Sequence, residues 1–207
     1  MATDKVSIIE SICDAIARGD NGAVATAARE YPFIAQTNAG RRYTVVEATR
    51  IFVRDGYIDR YSGARLVHPA VLRLISKLLP REFPFHRNWK MTETHPAYWE
   101  LVPTVDHIVP VARGGVDSEE NYLTTSMLHN AAKANWILEE LGWSLVPPGD
   151  FSEWDGLTGW LVNYIEQHGC EGQERYVLSW YQATCTVCGL TPRPTRTRAK
   201  LARAGNG

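Results

Sequence analysis

The sequence of 207 residues predicts an α+β fold in which one small ββα unit is embedded among mostly α-helical segments. Most apolar residues recur at helical spacing, which is typical of amphipathic helices packed on a core. One region, at about 103–141, instead has a β-branched run, a Gly-Gly loop, a second short run and a helix-forming stretch. With 44% hydrophobic and 22% charged residues, the chain is long enough to bury a real core.

The chain begins with two stretches of helical periodicity. The segment "DKVSIIESICDAIARGD" follows the capping residue Asp4, and "NGAVATAAREYPF" predicts a shorter helix that ends at Pro32. We therefore expect an N-terminal helical hairpin over residues 1–42. We further expect a central domain over residues 43–145, a C-terminal helical segment over 146–190 and a tail over 191–207.

Two further helices are predicted before the ββα unit. The stretch "YTVVEATRIFVRDG" is amphipathic and stops at Gly56, while "HPAVLRLISKLLP" lies between Pro69 and Pro80. The following "REFPFHRNWKMTETHPAYWELVP" is rich in proline and tryptophan. We expect this segment to be irregular but packed.

The ββα unit is predicted from four consecutive stretches. "TVDHIVP" is a short strand that stops at Pro110, and "ARGGVDSEEN" is a loop whose Gly114 and Gly115 permit unusual backbone angles. "YLTTS" returns as a strand, and "MLHNAAKANWILEELG" predicts one helix closed by Gly142. Beyond it, "WSLVPPGDFSEW" reads as a linker, and "GLTGWLVNYIEQHG" and "EGQERYVLSWYQAT" predict two more helices.

Charge and cysteine content limit the location and the partners of the protein. The formal net charge of -1 gives no global attraction to nucleic acid, so any such partner must be held by local clusters. The last 17 residues, "TPRPTRTRAKLARAGNG", are basic and predict a disordered tail. Sparse cysteines, with no secretory segment or long apolar run, predict a cytoplasmic protein that does not enter a membrane.

One cysteine pair has the spacing of a metal or redox motif. Cys185 and Cys188 form a CxxC that suits half of a zinc knuckle or a redox pair. Because no second pair at zinc-ligand spacing is present, two ordinary thiols near a chain end are the favoured interpretation.

Four polar residues of the ββα unit are expected to face a common point: Asp106, His107, Asn121 and Asn130. Carboxylate and amide oxygens are hard donors that suit Mg²⁺ and leave positions for water and phosphate. A neutral imidazole beside them can take a proton from water near pH 7. A divalent ion and a nearby base are the minimum equipment for hydrolysing a phosphodiester.

These residues resemble the motif of the HNH endonucleases, the ββα-metal nuclease family. The order Asp106-His107, Gly114-Gly115, Asn121, Asn130 and Lys133 matches the family pattern, and Asn121 and Asn130 follow His107 by 14 and 23 residues. That spacing is similar to the HNH domain of RNA-guided CRISPR nucleases. The upstream "IFVRDGYIDRYSGARL" also looks like the segment that precedes the motif in many bacterial HNH proteins.

The resemblance implies a role for each matching residue. His107 would be the general base that activates water, and Asp106 and Asn130 would hold one Mg²⁺ or Mn²⁺. Asn121 would brace the loop and orient the histidine ring. Two basic residues, Lys133 and Arg113, would contact the substrate phosphate.

The resemblance predicts a nucleic-acid substrate, most readily double-stranded DNA. Two alternatives stay open at this point. One is an RNA-cleaving nuclease, since such a site reads phosphate and sugar more than bases. The other is a binding module that holds DNA or a partner protein without cutting, although the complete acid, base and amide set argues against it. Oligomeric state is not encoded in the motif.

One departure from the family concerns a structural zinc site. Many HNH proteins carry two CxxC pairs around the ββα unit, and the corresponding positions here are Asp59, Ser62, Ser126 and His129. Because none of these is a thiolate, a zinc ribbon is not expected and packing must hold the unit. Large aromatic side chains are the candidates for that packing, namely Trp89, Tyr98, Trp99, Tyr122 and Trp136.

Overall fold

The structure is a computed structural model that describes residues 4–32 and 43–193. The chain divides into two compact units, residues 1–38 and 39–207. In the first unit, helix α1 (Lys5–Ala17) packs against helix α2 (Asn21–Ala28). Asp4 caps α1 by accepting from the Val6 amide, and Asp20 caps α2 by accepting from the Ala23 amide.

The second unit combines helices with one small sheet. Its described elements, in chain order, are α3 (Val45–Arg54), α4 (Pro69–Leu78), α5 (Ala97–Glu100), β1 (Pro103–His107), β2 (Tyr122–Ser126), α6 (Met127–Lys133), α7 (Leu138–Leu141), α8 (Thr158–His168) and α9 (Arg175–Cys188). The predicted α+β class is therefore confirmed. Thr44 and Glu47 form a reciprocal capping box at the start of α3, and Pro69 occupies the first turn of α4.

The sheet is an antiparallel hairpin of β1 and β2. Its register places Pro103 opposite Ser126 and His107 opposite Tyr122, and α6 begins directly after β2. Helices α3 and α6 both contact the two strands. The hairpin thus lies between two helices, which determines what each of its faces meets.

The core joins the hairpin to the helices on either side of it in sequence. One buried cluster contains Phe52 of α3, Val105 of β1 and Tyr57, which follows α3. A second cluster unites α4, α8 and α9 through residues such as Leu74, Ile165 and Tyr181. Because helix α9 packs on both α3 and α4, the helical segment after residue 145 belongs to the same compact unit as the hairpin.

The expectation of one continuous helix over 127–142 is wrong. Helix α6 ends at Lys133, and Ala134 adopts a left-handed φ of 47° before α7 begins at Leu138. A residue with positive φ cannot continue a right-handed helix. Alanine carries no sequence signal for such a break, so helical composition alone favoured a continuous helix.

The predicted linker after Gly142 is packed along the core. The Val146 amide donates to the Arg60 carbonyl (2.8 Å), and the Gly149 amide donates to the Asp55 carbonyl (3.1 Å). Gly56 has φ 61°, and a Cβ built there would lie 2.5 Å from the Gly149 carbonyl carbon. Two glycines are therefore needed where these backbones cross.

The segment between α4 and β1 is irregular and packed, as expected. Phe83, Phe85 and Trp89 surround the buried ring of Tyr98. The expectation that Trp136 adds to the packing is wrong, because its side chain is 45% exposed. The predicted tail falls, from residue 194 onward, outside the described residues. In the described part of the chain, no helix combines the length and apolar character needed to cross a bilayer.

Candidate active site

The two faces of β1 carry different candidate residues. Side chains alternate along a strand, so Thr104 and Asp106 share one face and Val105 and His107 share the other. Asn130 of α6 lies against the first face, with its Nδ2 3.5 Å from Thr104 Oγ1. Val105 packs with α3 on the second face. The predicted residues therefore form two groups at the end of β1 instead of facing one common point.

The first group centres on the Asp106 carboxylate. Its Oδ2 accepts from the Tyr61 hydroxyl (2.8 Å) and from Lys133 Nζ (3.1 Å), and its Oδ1 accepts from the His107 amide (2.8 Å). Lys133 Nζ also donates to the His107 carbonyl (2.8 Å). Burial and the adjacent Asp106 charge raise the pKa of Tyr61, which keeps its hydroxyl protonated as a donor.

Lys133 is a buried counter-ion in this arrangement. Its side chain is 0% exposed and pairs with an aspartate that is 1% exposed, so the two charges neutralise each other out of water. The predicted phosphate contact would require the ammonium group to move away from Asp106. Position i+3 from Asn130 nevertheless keeps both residues on the side of α6 that faces β1.

The second group centres on the His107 ring, which is 1% exposed. Its Nε2 lies 2.8 Å from Asp117 Oδ1, and the same oxygen accepts from the Tyr122 hydroxyl (2.6 Å). The Tyr122 ring packs edge-on to the imidazole with a centroid distance of 4.9 Å. On the other edge of the ring, Nδ1 is buried and has no hydrogen-bond partner among the described residues. Buried polar atoms usually have a hydrogen-bond partner, so a buried nitrogen without one calls for an explanation, which a functional role can supply.

The loop between the strands is held by Asn121, which is 8% exposed. Its Oδ1 accepts from the Val109 amide (2.9 Å), and its Nδ2 donates to the carbonyls of Val109 and Val116 (2.8 Å each). The predicted bracing is thus present, whereas the ring itself is contacted by Asp117. Asn121 acts on the ring only through the loop that carries Asp117.

The two loop glycines have different structural reasons. Gly114 adopts φ 89°, a conformation that side chains rarely tolerate. A Cβ at Gly115 would lie 1.9 Å from the Val109 carbonyl oxygen. A side chain at Gly115 would therefore force the loop away from β1 and move Asp117 relative to His107.

Arg113 does not point to the site in this structure. Its guanidinium forms an ion pair with Glu140 of α7 (2.9 Å), which fastens the loop to that helix. The predicted phosphate contact of Arg113 would have to replace this pair.

The donor chemistry at β1 fits a divalent ion. Asp106 carries a carboxylate, and Asn130, whose Nδ2 contacts Thr104 on the same face of β1, carries an amide oxygen. Mg²⁺ usually takes few protein ligands and several waters. Within residues 4–32 and 43–193, no group of three or more His, Cys, Asp or Glu side chains is arranged to hold a metal. An ion at Asp106 and Asn130 would therefore depend on water and substrate phosphate for its remaining ligands.

Three of the four positions that the HNH resemblance would assign to zinc ligands, Asp59, Ser126 and His129, form a hydrogen-bonded cluster. Asp59 is 0% exposed and accepts from His129 Nδ1 (2.6 Å), the Ser126 amide (3.1 Å), Thr125 Oγ1 (3.0 Å) and the Tyr61 amide (3.0 Å). Burial alone would raise the pKa of Asp59, but the hydrogen bonds, that of His129 first, outweigh it and lower the pKa below its ordinary value. The cluster ties the turn at residue 59 to β2 and α6 without a thiolate.

The Cys185-Cys188 pair lies in the last turn of α9. Cys185 is buried and Cys188 is half-buried, and burial raises the pKa of both thiols. A raised pKa favours the unreactive thiol form over the thiolate. This environment is typical of structural cysteines.

Sequence reasoning missed three residues that contact the predicted ones: Tyr61, Asp117 and Tyr122 as a hydroxyl donor. The alternation of β2 could have indicated that Tyr122 shares a face with His107. No sequence signal places Asp117 at the imidazole, because the intervening loop is irregular.

Comparisons of the chain with protein-family models, with curated proteins and with solved structures give no match. The assignment of a function therefore depends on the residues and their geometry.

Proposed function

We propose that the protein is a metal-dependent endonuclease of the HNH type that hydrolyses phosphodiester bonds in DNA. The observation that carries the proposal is the His107 ring, whose Nε2 is held by a carboxylate while Nδ1 is buried without a partner among the described residues. It lies next to Asp106, whose face of β1 is flanked by Asn130 and Lys133. An acid, an amide, a base and a cation are thus assembled at the end of one strand.

Each residue has a distinct part in the proposed reaction. His107 Nδ1, once it is accessible in the substrate complex, would take a proton from water, and the resulting hydroxide would attack the phosphorus atom. The P–O bond to the leaving oxygen would then break, and that oxygen would take a proton from solvent. Asp106 and Asn130 would hold a Mg²⁺ or Mn²⁺ ion, which would stabilise charge on the phosphate and on the leaving oxygen. Asn121 keeps the loop and therefore the ring in place.

Lys133 is expected to change partner when substrate binds. In this structure it neutralises Asp106, a role that a divalent cation would take over. The released ammonium group, on a flexible side chain, can then contact a phosphate oxygen. This exchange reconciles the buried position of Lys133 with its proposed role at the phosphate.

The proposal is tested by incubating the full chain with supercoiled plasmid, linear duplex, single-stranded DNA and RNA. Each substrate is combined with Mg²⁺, Mn²⁺ or EDTA. We expect nicked or linear plasmid with Mg²⁺ or Mn²⁺ and intact plasmid with EDTA. Cleavage of RNA alone would replace DNA as the substrate. Binding of DNA without cleavage under every metal condition would contradict the nuclease and favour the binding module.

A further inference from the structure

Asp117 is a surface carboxylate that reaches a buried imidazole. Its side chain is 58% exposed, whereas that of His107 is 1% exposed, and the contact between Oδ1 and Nε2 is 2.8 Å. An exposed aspartate is not needed to fill the core. Its Oδ1 contacts both the His107 ring and the Tyr122 hydroxyl.

The contact determines which ring nitrogen carries the proton. An ionised carboxylate accepts hydrogen bonds and cannot donate one, so Nε2 of a neutral His107 must be the protonated nitrogen. The lone pair is then on Nδ1, the nitrogen that is buried and has no partner among the described residues. A histidine acts as a base through its unprotonated nitrogen, so the Nε2–H tautomer is the one required here.

Surrounding residues hold Asp117 in this position. The Tyr122 hydroxyl donates to Asp117 Oδ1 (2.6 Å), and burial, assisted by that carboxylate, raises the pKa of Tyr122 to about 12. The preceding residue, Val116, is fixed by the Asn121 side chain through its carbonyl (2.8 Å). Asp117 and Tyr122 also line an open pocket of about 210 Å³, so the Asp117 carboxylate, unlike the ring that it contacts, is open to solvent.

We infer that Asp117, supported by the Tyr122 hydroxyl, is the positioning residue that fixes His107 as the Nε2–H tautomer and leaves Nδ1 as the base. The inference rests on the proposed function for its catalytic consequence. The tautomer itself is a property of the folded chain and is independent of substrate. Asp117 is not a catalytic residue in this scheme, because it acts through the histidine.

The experiment combines ring ¹⁵N NMR with kinetics on the full chain. The His107 signals are assigned by their loss in His107→Gln. In the wild type, we expect Nε2 protonated and Nδ1 unprotonated at a pH where the ring is neutral. In Asp117→Ala, the fraction of Nε2–H should fall and Nδ1–H should appear. Glu120→Ala, which removes a nearby exposed carboxylate, should leave the tautomer unchanged.

The kinetic arm measures plasmid cleavage under saturating metal. Asp117→Ala should lower kcat by about tenfold to a hundredfold with little change in KM, the size of effect known for partners that orient a histidine ligand. Tyr122→Phe, which keeps the ring and removes the donor, should give a smaller loss. Glu120→Ala should match the wild type.

The two arms separate the failure of the inference from that of the proposed function. A wild-type ring protonated at Nδ1, or an Asp117→Ala ring that keeps the Nε2–H tautomer, would overturn the inference whether or not DNA is cut. Cleavage by Asp117→Ala at the wild-type rate would also overturn it. A wild-type chain that cuts no nucleic acid while showing the expected tautomers would overturn the nuclease alone.

Discussion

Two buried aspartates lie against opposite ends of helix α6, and their surroundings differ. Asp59 pairs with His129 in the first turn, and Asp106 pairs with Lys133 in the last. Each oxygen of Asp59 accepts two hydrogen bonds, from a turn, β2 and α6. Among the described residues, Oδ1 of Asp106 accepts one hydrogen bond, from the amide of the next residue. The first carboxylate is satisfied by the fold, while the second keeps capacity for another ligand.

The difference separates a structural site from a candidate reactive one. A fully hydrogen-bonded buried carboxylate stabilises its surroundings and gains nothing from a further ligand. Asp106 is held by the Tyr61 hydroxyl, the His107 amide and Lys133, and the lysine is the partner whose charge a cation could replace. We therefore expect substitutions at the two aspartates to affect different properties.

The largest difference should appear in the cleavage rate. Asp106→Asn removes the charge that would bind the metal, and we expect the rate to fall by more than about a hundredfold. Asp59→Asn should retain most of the wild-type rate per folded molecule, because its carboxylate only ties the turn to α6. The measurement is plasmid cleavage normalised to the folded fraction from circular dichroism. Equal losses in the two variants would remove the distinction.

The variant Lys133→Met tests whether Asp106 can bind a metal ion. It leaves Asp106 buried without its counter-ion, which should lower the free energy of unfolding by about 3–5 kcal/mol. Because a cation can replace the lysine, Mg²⁺ should raise the Tm of this variant more than that of the wild type. Lys90→Met, at an exposed lysine, is the matched control. Identical Mg²⁺-induced shifts in all three proteins would argue against an ion at Asp106.

Asp59→Asn should have a smaller effect on stability. One charge-assisted network is weakened while the side-chain shape is kept, so we expect a loss of about 1–3 kcal/mol. Urea unfolding measures it, and Mg²⁺ should not restore it. A restoration by Mg²⁺ would mean that the Asp59 cluster, and not Asp106, responds to metal.

The smallest expected effect is on the pH dependence of the free energy of unfolding. The pKa of Asp59 is lowered in the folded chain, so the unfolded state binds more protons as the pH falls. The contribution of the carboxylate is complete above the unfolded pKa of about 4 and is lost as the pH falls through the lower folded value. Wild type should therefore lose its advantage over Asp59→Asn only below about pH 4. Since His129 bonds to the same carboxylate, the series is repeated in a His129→Gln background. An advantage that disappears above pH 5 in both backgrounds would contradict this origin.

Local patterns predicted much of the fold. The β-branched run before Pro110, the Gly-Gly loop and Pro69 in the first turn of α4 determine their elements through short-range sterics and hydrogen bonds. Long-range partners were not predictable in the same way. Lys133 reads as a surface lysine on a helix, and only the packing of α6 against β1 buries it beside Asp106.

The sequence predicted which residues belong to the candidate site, but it did not predict how they are arranged in space. The motif spacing selected Asp106, His107 and Asn130. The alternation of β1, which places the aspartate and the histidine on opposite faces, follows from the strand assignment and could have been drawn from it. The contact of Asp117 with His107 depends on the path of an irregular loop, which no periodicity encodes.

The central claim is most directly tested by comparing the cleavage rates of wild type and His107→Ala under the metal condition that gives the highest activity. Loss of the base should lower the rate by about a hundredfold or more, while DNA binding, measured by fluorescence anisotropy, stays near the wild-type affinity. Cleavage at the wild-type rate by a folded His107→Ala chain would show that His107 is not the base and contradict the account.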